Sequence, residues 1–94
     1  MAVVFARIRV ADMERWKAAF AESDQVRRSF GLTTRSVFRD ATYANGVIVV
    51  LNAEDLERAQ EFFSSEEQRQ RMARSGIERP AEWWMGTDFP GLPQ

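Results

Sequence analysis

The stretch DMERWKAAF, residues 12–20, returns as DLERAQEFF at residues 55–63, a constant offset of 43. Asp, Glu, Arg and the final Phe coincide, and Met13 matches Leu56. An apolar run precedes each copy at the same offset, VVFARIRV (3–10) and GVIVVLNA (46–53). Later, FGL (30–32) parallels SGI (75–77), with two extra residues in the second half. Amphipathic helices can share a few identities through composition alone. A repeated order of strand, helix, glycine and strand is harder to obtain that way. It divides the chain into two βαβ units, hence βαββαβ, and few folds accept that order.

Local patterns agree with the repeat. Residues 3–10 are rich in Val, Ile and Phe and suit a strand. Asp12 is placed to cap a helix in which Met13, Trp16, Phe20, Ser23, Arg27 and Phe30 recur at helical spacing, supported by Ala19 and Val26. Gly31 ends it. LTTRSVFR (32–39) is a second strand, and DATYANG (40–46) a hairpin loop closing on Asn-Gly. GVIVVLNA has no polar residue before Asn52, as a central strand should. Asn52 or Glu54 is expected to open the next helix, whose apolar stripe is Leu56, Ala59, Phe62 and Phe63. SSEEQ (64–68) reads as a break, with Ser64 or Ser65 capping a helix that turns Met72 and Ala73 inward and stops at Gly76. IERPAEWWM (77–85) is the fourth strand, and Pro80, which cannot donate to a ladder, assigns it to an edge. One domain therefore spans 1–86, and TDFPGLPQ, 87–94, is a Pro/Gly-rich tail.

Right-handed crossovers turn this order into an α+β, ferredoxin-like sandwich: an antiparallel sheet in the order 4-1-3-2 with the helices on one face. Alternation then sorts the strand residues. Val4, Ala6, Ile8, Val10, Val47, Val49 and Leu51 belong under the helices, leaving Val3, Phe5, Arg7, Arg9, Ile48 and Val50 on the other face. Trp83 and Trp84 are neighbours, so in a strand they point to opposite faces. One indole enters the core, and the other needs a second cover. A homodimer packing two sheets face to face supplies it, because a contiguous apolar patch is seldom left wet.

Composition removes much chemistry. With no Cys and no His, disulfides, thiolate sites, His-ligated haem, zinc or iron, and Ser-His or Cys-His nucleophiles are out. No Gly-rich loop cradles a phosphate, so the expectation is a protein without metal, haem or flavin. Thirteen basic and 14 acidic residues are spread along the chain, a net charge of −1 that predicts neither nucleic-acid nor membrane partners. The apolar run Met1–Ala6 is too short for a span or a signal peptide, so the expected location is the cytoplasm.

The sequence VADMERWKAAF (10–20), with Val10, Asp12, Trp16 and Phe20, is followed by VFRD (37–40), a short hairpin, GVIVVL and a second helix. Over roughly residues 3–86 this resembles the dimeric α+β barrel superfamily, above all its antibiotic-biosynthesis-monooxygenase-like and polyketide-cyclase-like members. The resemblance implies two ferredoxin-like protomers closing a barrel, with an apolar pocket between sheet and helices. It also implies cofactor-independent oxygenation or cyclisation of an aromatic or polyketide-like molecule in secondary metabolism. Haem enzymes share the superfamily, and the missing histidine speaks against that branch.

The candidate substrate-binding residues are Trp16, Phe20, Arg27, Phe63, Trp83 and Trp84. Aromatic rings at helical spacing are ordinarily core, but this many in a small domain can wall a pocket, with Trp16 and one of the paired indoles foremost. Arg27 sits on an apolar stripe, where a guanidinium can hold a phenolate, enolate or carboxylate. Arg7, Arg9 and Arg35 lie on strands and are more simply explained by salt bridges across the dimer, for instance to Glu78 or Glu82. Asp12 reads as a cap, Asn45 as a turn residue and Asn52 as a cap, so no catalytic residue is assigned. Three functions compete: a cofactor-free enzyme acting by orientation, a non-catalytic small-molecule-binding or regulatory module, and a nucleic-acid binder, the last lacking the basic and aromatic pattern it needs.

Overall fold

The alternating apolar residues of the first and third strands decide which sheet face is covered. The structure is a computed structural model describing residues 2–78 and 81–93. Its elements run β1 (Ala2–Arg9), α1 (Met13–Glu22), α2 (Asp24–Ser29), β2 (Leu32–Arg39), β3 (Gly46–Ala53), α3 (Leu56–Ser64), α4 (Glu66–Arg74) and β4 (Glu82–Thr87). The sheet order is β2-β3-β1-β4 with antiparallel neighbours, the expected order read from the other edge. The chain thus has the ferredoxin-like α+β fold. Val4, Ala6, Ile8, Val10, Val47, Val49 and Leu51 are all buried beneath the helices with Trp16, Ala59 and Phe62.

The two halves repeat in detail. Asp12 accepts the Arg15 backbone N–H at 3.1 Å, and Asp55, its counterpart at the same offset, accepts that of Glu57 at 2.9 Å. Each satisfies a donor that the first helical turn leaves unpaired. Gly31 and Gly76 follow the second helix of each half at φ +75° and +85°, a conformation that other residues adopt only with strain.

Four expectations are corrected. Asp55 opens the second helix, not Asn52 or Glu54; Asn52 lies within β3, paired with Val3 and Thr33. The first helix divides at Ser23, where a serine and an aspartate that favour caps over helix interiors stand in sequence. The β4 ladder occupies Glu82–Thr87, not 77–85, reaching into the stretch expected to be tail. Ile77 makes only an isolated bridge to Val10, because pairing with β1 resumes at Glu82 opposite Arg7. Finally, Arg7 pairs within the chain: its Nε donates to Asp40 at 2.6 Å, although Glu82 is its ladder neighbour. The expectation resting on Pro80 lies outside the described residues, but β4 is an edge strand, bonded only to β1.

The two tryptophans separate. Trp83 stands opposite Ala6 and packs on the core, whereas Trp84 stands opposite Phe5 on the other face. A row Ser36–Val50–Phe5–Trp84 crosses that open face, with Phe38 and Ile48 in the next. Phe5, Phe38 and Trp84 remain 42, 54 and 53% exposed, forming an apolar band that the helices do not cover.

Candidate ligand-binding site

The cap at Asp12 sets the phase of α1 so that Trp16 and Phe20, one turn apart, both face the sheet. Their rings stack at 5.0 Å with an interplanar angle of 27°. The turn at Ser23 then swings α2 so that Arg27 folds back over Phe20. Its guanidinium carbon lies 3.7 Å from the Phe20 ring centroid, and Nη2 donates to the Phe20 carbonyl at 2.7 Å. Asp24 is near at 3.7 Å. Arg27 is only 5% exposed, and its Nε is a buried donor without a partner. Burial pulls its pKa below the ordinary arginine range while Asp24 opposes the change, and a guanidinium is basic enough to stay a cation at any physiological pH all the same.

The third side comes from α3. Phe62 is buried and meets Phe63 edge-on at 5.1 Å, and Phe63 in turn stacks on Trp83 at 5.2 Å. The fourth comes from α4, whose cap Ser65 accepts the Gln68 backbone N–H at 3.1 Å. That phase turns Gln68, Arg71, Met72 and Ser75 toward the sheet. Arg71 Nη1 donates to Gln68 Oε1 at 2.8 Å, and the Ser75 hydroxyl donates to the Met72 carbonyl at 2.7 Å.

Between these elements lies a cavity of about 70 Å³, floored by Ala6, Ile8, Val49 and Leu51. It has two flanks. Toward β4 it meets a groove of about 450 Å³, with Phe63, Met72 and Ile77 bordering both spaces, Trp83 beyond them, and Arg69 and Glu78 at its rim. Between α1 and α4 it meets a cleft of about 520 Å³, shared through Ala19, Ser23, Arg71 and Ser75.

Of the residues expected from the sequence, Trp16, Phe20, Arg27 and Phe63 line the cavity together. Trp83 borders the adjoining groove, and Trp84 faces away on the opposite side of the sheet, which removes it from this site. Gln68, Arg71 and Ser75 were not among the expected residues. Their spacing of i, i+3 and i+7 is itself an inward helical stripe, but a search for apolar periodicity passes over polar side chains. Among the described residues, no three His, Cys, Asp or Glu side chains are grouped to hold a metal. No helix among them is long and apolar enough to cross a membrane.

A second polar cluster gathers around Asp40, just after β2. Asp40 accepts from Arg7 Nε and from the Thr42 backbone, and Arg9 lies 3.4 Å over the Tyr43 ring. The hydrogen bond from Arg7, with that from Thr42, pulls the Asp40 carboxyl down to about 2, against the burial of its side chain. A Cβ at Gly46 would come within 2.7 Å of the Asp40 Cβ, so this contact explains the glycine. The cluster is structural.

No protein-family profile matches the sequence, and no curated protein sequence matches it. Solved structures do. A candidate antibiotic biosynthesis monooxygenase from Bordetella bronchiseptica superposes with a TM-score of 0.73 at 14% identity, covering 94% of this chain and 96% of that one. A mutant of SnoaB, a cofactor-independent oxygenase from Streptomyces nogalater, gives 0.70 at 13% identity, covering 99% and 97%. A candidate antibiotic biosynthesis monooxygenase from Deinococcus radiodurans gives 0.67 at 10% identity, covering 100% and 98%. At such identities the likeness establishes a shared fold.

Proposed function

We propose that the protein is a homodimeric, cofactor-independent monooxygenase that takes an aromatic, polyketide-like molecule between its helices and its sheet. The observation that carries this reading is the cavity walled by Trp16, Phe20, Phe62 and Phe63, with one buried cation whose Nε–H has no acceptor. A buried donor left unpaired costs about 1–3 kcal/mol. A ligand oxygen at Arg27 removes that penalty. The fold shared with SnoaB, itself a cofactor-independent oxygenase, supports the same reading.

The chemistry follows from an anion held beside aromatic walls. A hydroxylated anthrone-like ring loses a proton to give a delocalised oxyanion, which Arg27 stabilises. That anion transfers an electron to dioxygen, the two radicals combine at the ring carbon, and the hydroperoxide loses water. In sum a ring CH2 and O2 become a carbonyl and H2O. The cavity lining contains no carboxylate, so the first proton leaves to water at an acidity raised by the buried cation. At about 70 Å³ the cavity is smaller than the roughly 300 Å³ of ordinary ligand sites. A polycyclic ring therefore extends past Phe63 and Met72 into the β4 groove, and methionine adapts to such a guest.

The open face completes the account. Phe5, Phe38 and Trp84 with Val50 and Ile48 make a self-complementary patch for an isologous contact between two sheets. The test of function is oxygen consumption by chelator-treated protein supplied with an anthrone. Uptake matched to quinone formation supports the oxygenase. Binding without uptake leaves the second reading, a non-catalytic small-molecule module, which the absence of a base in the lining favours.

A further inference from the structure

Met72 stands where the cavity meets the β4 groove and borders both spaces. Among the described residues it supplies the only sulfur lining either of them. The other described methionines, Met13 and Met85, are half-buried as Met72 is, but they pack on the core and border neither space. The backbone of Met72 is held in place, because its carbonyl accepts the Ser75 hydroxyl at 2.7 Å and the Ser75 N–H at 3.2 Å. The unbranched thioether beyond it remains free to follow the shape of a guest.

We propose that Met72 is a modification site, which takes one oxygen atom from an aromatic hydroperoxide held in the pocket. This rests on the oxygenase reading above, whose ring hydroperoxide is the source of that oxygen during turnover. The usual end of that intermediate is loss of water, and the thioether opens a second course. Its sulfur lone pair attacks the distal peroxide oxygen, the O–O bond breaks, and the hydroperoxide proton passes to the oxygen left on the ring. A ring hydroperoxide and a thioether thus become a ring alcohol and a sulfoxide. The sulfur loses two electrons and the peroxide gains them, so no further reductant enters. A sulfoxide is polar and chiral where the thioether was apolar and pliant. At the junction of cavity and groove it opposes the passage of an apolar ring, so binding weakens as oxidation proceeds. Reduction of the sulfoxide restores the site.

The experiment treats the protein with cumene hydroperoxide, which is aromatic, or with hydrogen peroxide, which is small enough to reach any half-buried sulfur. Peptide mass spectrometry follows the added oxygen at each methionine. With cumene hydroperoxide, Met72 should be oxidised about tenfold faster than Met13 or Met85, because the bound peroxide is held beside it. With hydrogen peroxide the rates should be comparable. Excess 2-naphthol, whose binding is read by titration of tryptophan emission, should protect Met72 alone. The oxidised protein should bind naphthol about tenfold more weakly. Met72→Leu, a volume-conserving change that removes the sulfur, should keep its affinity through the same treatment. Naphthol that binds while cumene hydroperoxide shows no preference for Met72 overturns the proposal and leaves the pocket intact. Oxidised protein that binds naphthol unchanged overturns the blocking effect. Naphthol that fails to bind the untreated protein overturns the pocket reading, and this proposal falls with it.

Discussion

Arg27 is clamped to Phe20 twice, by its guanidinium 3.7 Å over the ring and by an Nη2 bond of 2.7 Å to the backbone carbonyl of the same residue. The double hold fixes the plane of the guanidinium and leaves Nε as the donor still unpaired. A site residue held this way has lost its rotamer freedom before any ligand arrives.

Arg27→Met should therefore separate stability from binding. Asp24 is partly exposed and keeps Arg28 at 2.8 Å, so the change strands no buried charge, and loss of the bond to the Phe20 carbonyl should cost only about 1 kcal/mol of stability. Affinity for ionisable phenols should fall roughly tenfold to a hundredfold, the worth of a charged hydrogen bond. Chemical denaturation and the naphthol titration measure the two effects on one preparation.

The adjacent tryptophans should fail in different ways. Trp83→Ala removes a ring packed between Phe63 and the core, and should lower stability by about 2 kcal/mol, under the roughly 3–5 of a fully buried ring because it is only partly covered. Trp84→Asp places a charge on the apolar open face, and should convert the proposed dimer to a folded monomer. Light scattering with far-ultraviolet circular dichroism distinguishes these outcomes. A parent that is monomeric at micromolar concentration would rule out the dimer.

Acid stability should carry the mark of Asp40. Its carboxyl sits at about 2 when folded against 3.8 normally, so its contribution is fully present above about pH 4 and is lost as pH falls toward 2. Asp40→Asn should be less stable at neutral pH and show a shallower decline between pH 4 and 2. Thermal melts across that range measure the slope, and parallel slopes for the two proteins would assign the acid limb to other groups.

Much of this architecture was legible in the sequence because it is written in periodicity. The repeat gave the order of elements, and strand alternation sorted Val4, Ala6 and Ile8 from Phe5 and separated Trp83 from Trp84. Asp55 was passed over although the repeat pairs it with Asp12; Asn and Asp cap equally well, so local preference does not choose between Asn52 and Asp55 without knowing where the strand stops. Two features had no local signal. Arg7 and Asp40 meet across 33 residues of sequence, and pairing over that distance is set by the loop that follows β2. The polar side of the cavity came from Gln68, Arg71 and Ser75, whose residue types belong equally well to a solvated helix face. Trp16, Phe20 and Phe63 were accessible because helical spacing joins the first two and the repeat sets Phe63 where Phe20 stands in the other half; Arg27 was singled out by an apolar stripe, but the turn at Ser23, not a continuous helix, brings it to Phe20.

The most direct test of the account is the nitrogen-15 spectrum of the arginine Nε–H groups as a naphthol is added. Arg27 Nε is buried and without an acceptor in the free protein. A ligand oxygen arriving there should move its resonance downfield and slow its exchange with water, while Arg39 on the exposed end of β2 stays in place. An Arg27 signal that does not move at saturating ligand, with shifts clustering instead around Trp84 and Phe5, would put the aromatic guest on the open sheet face and contradict the account.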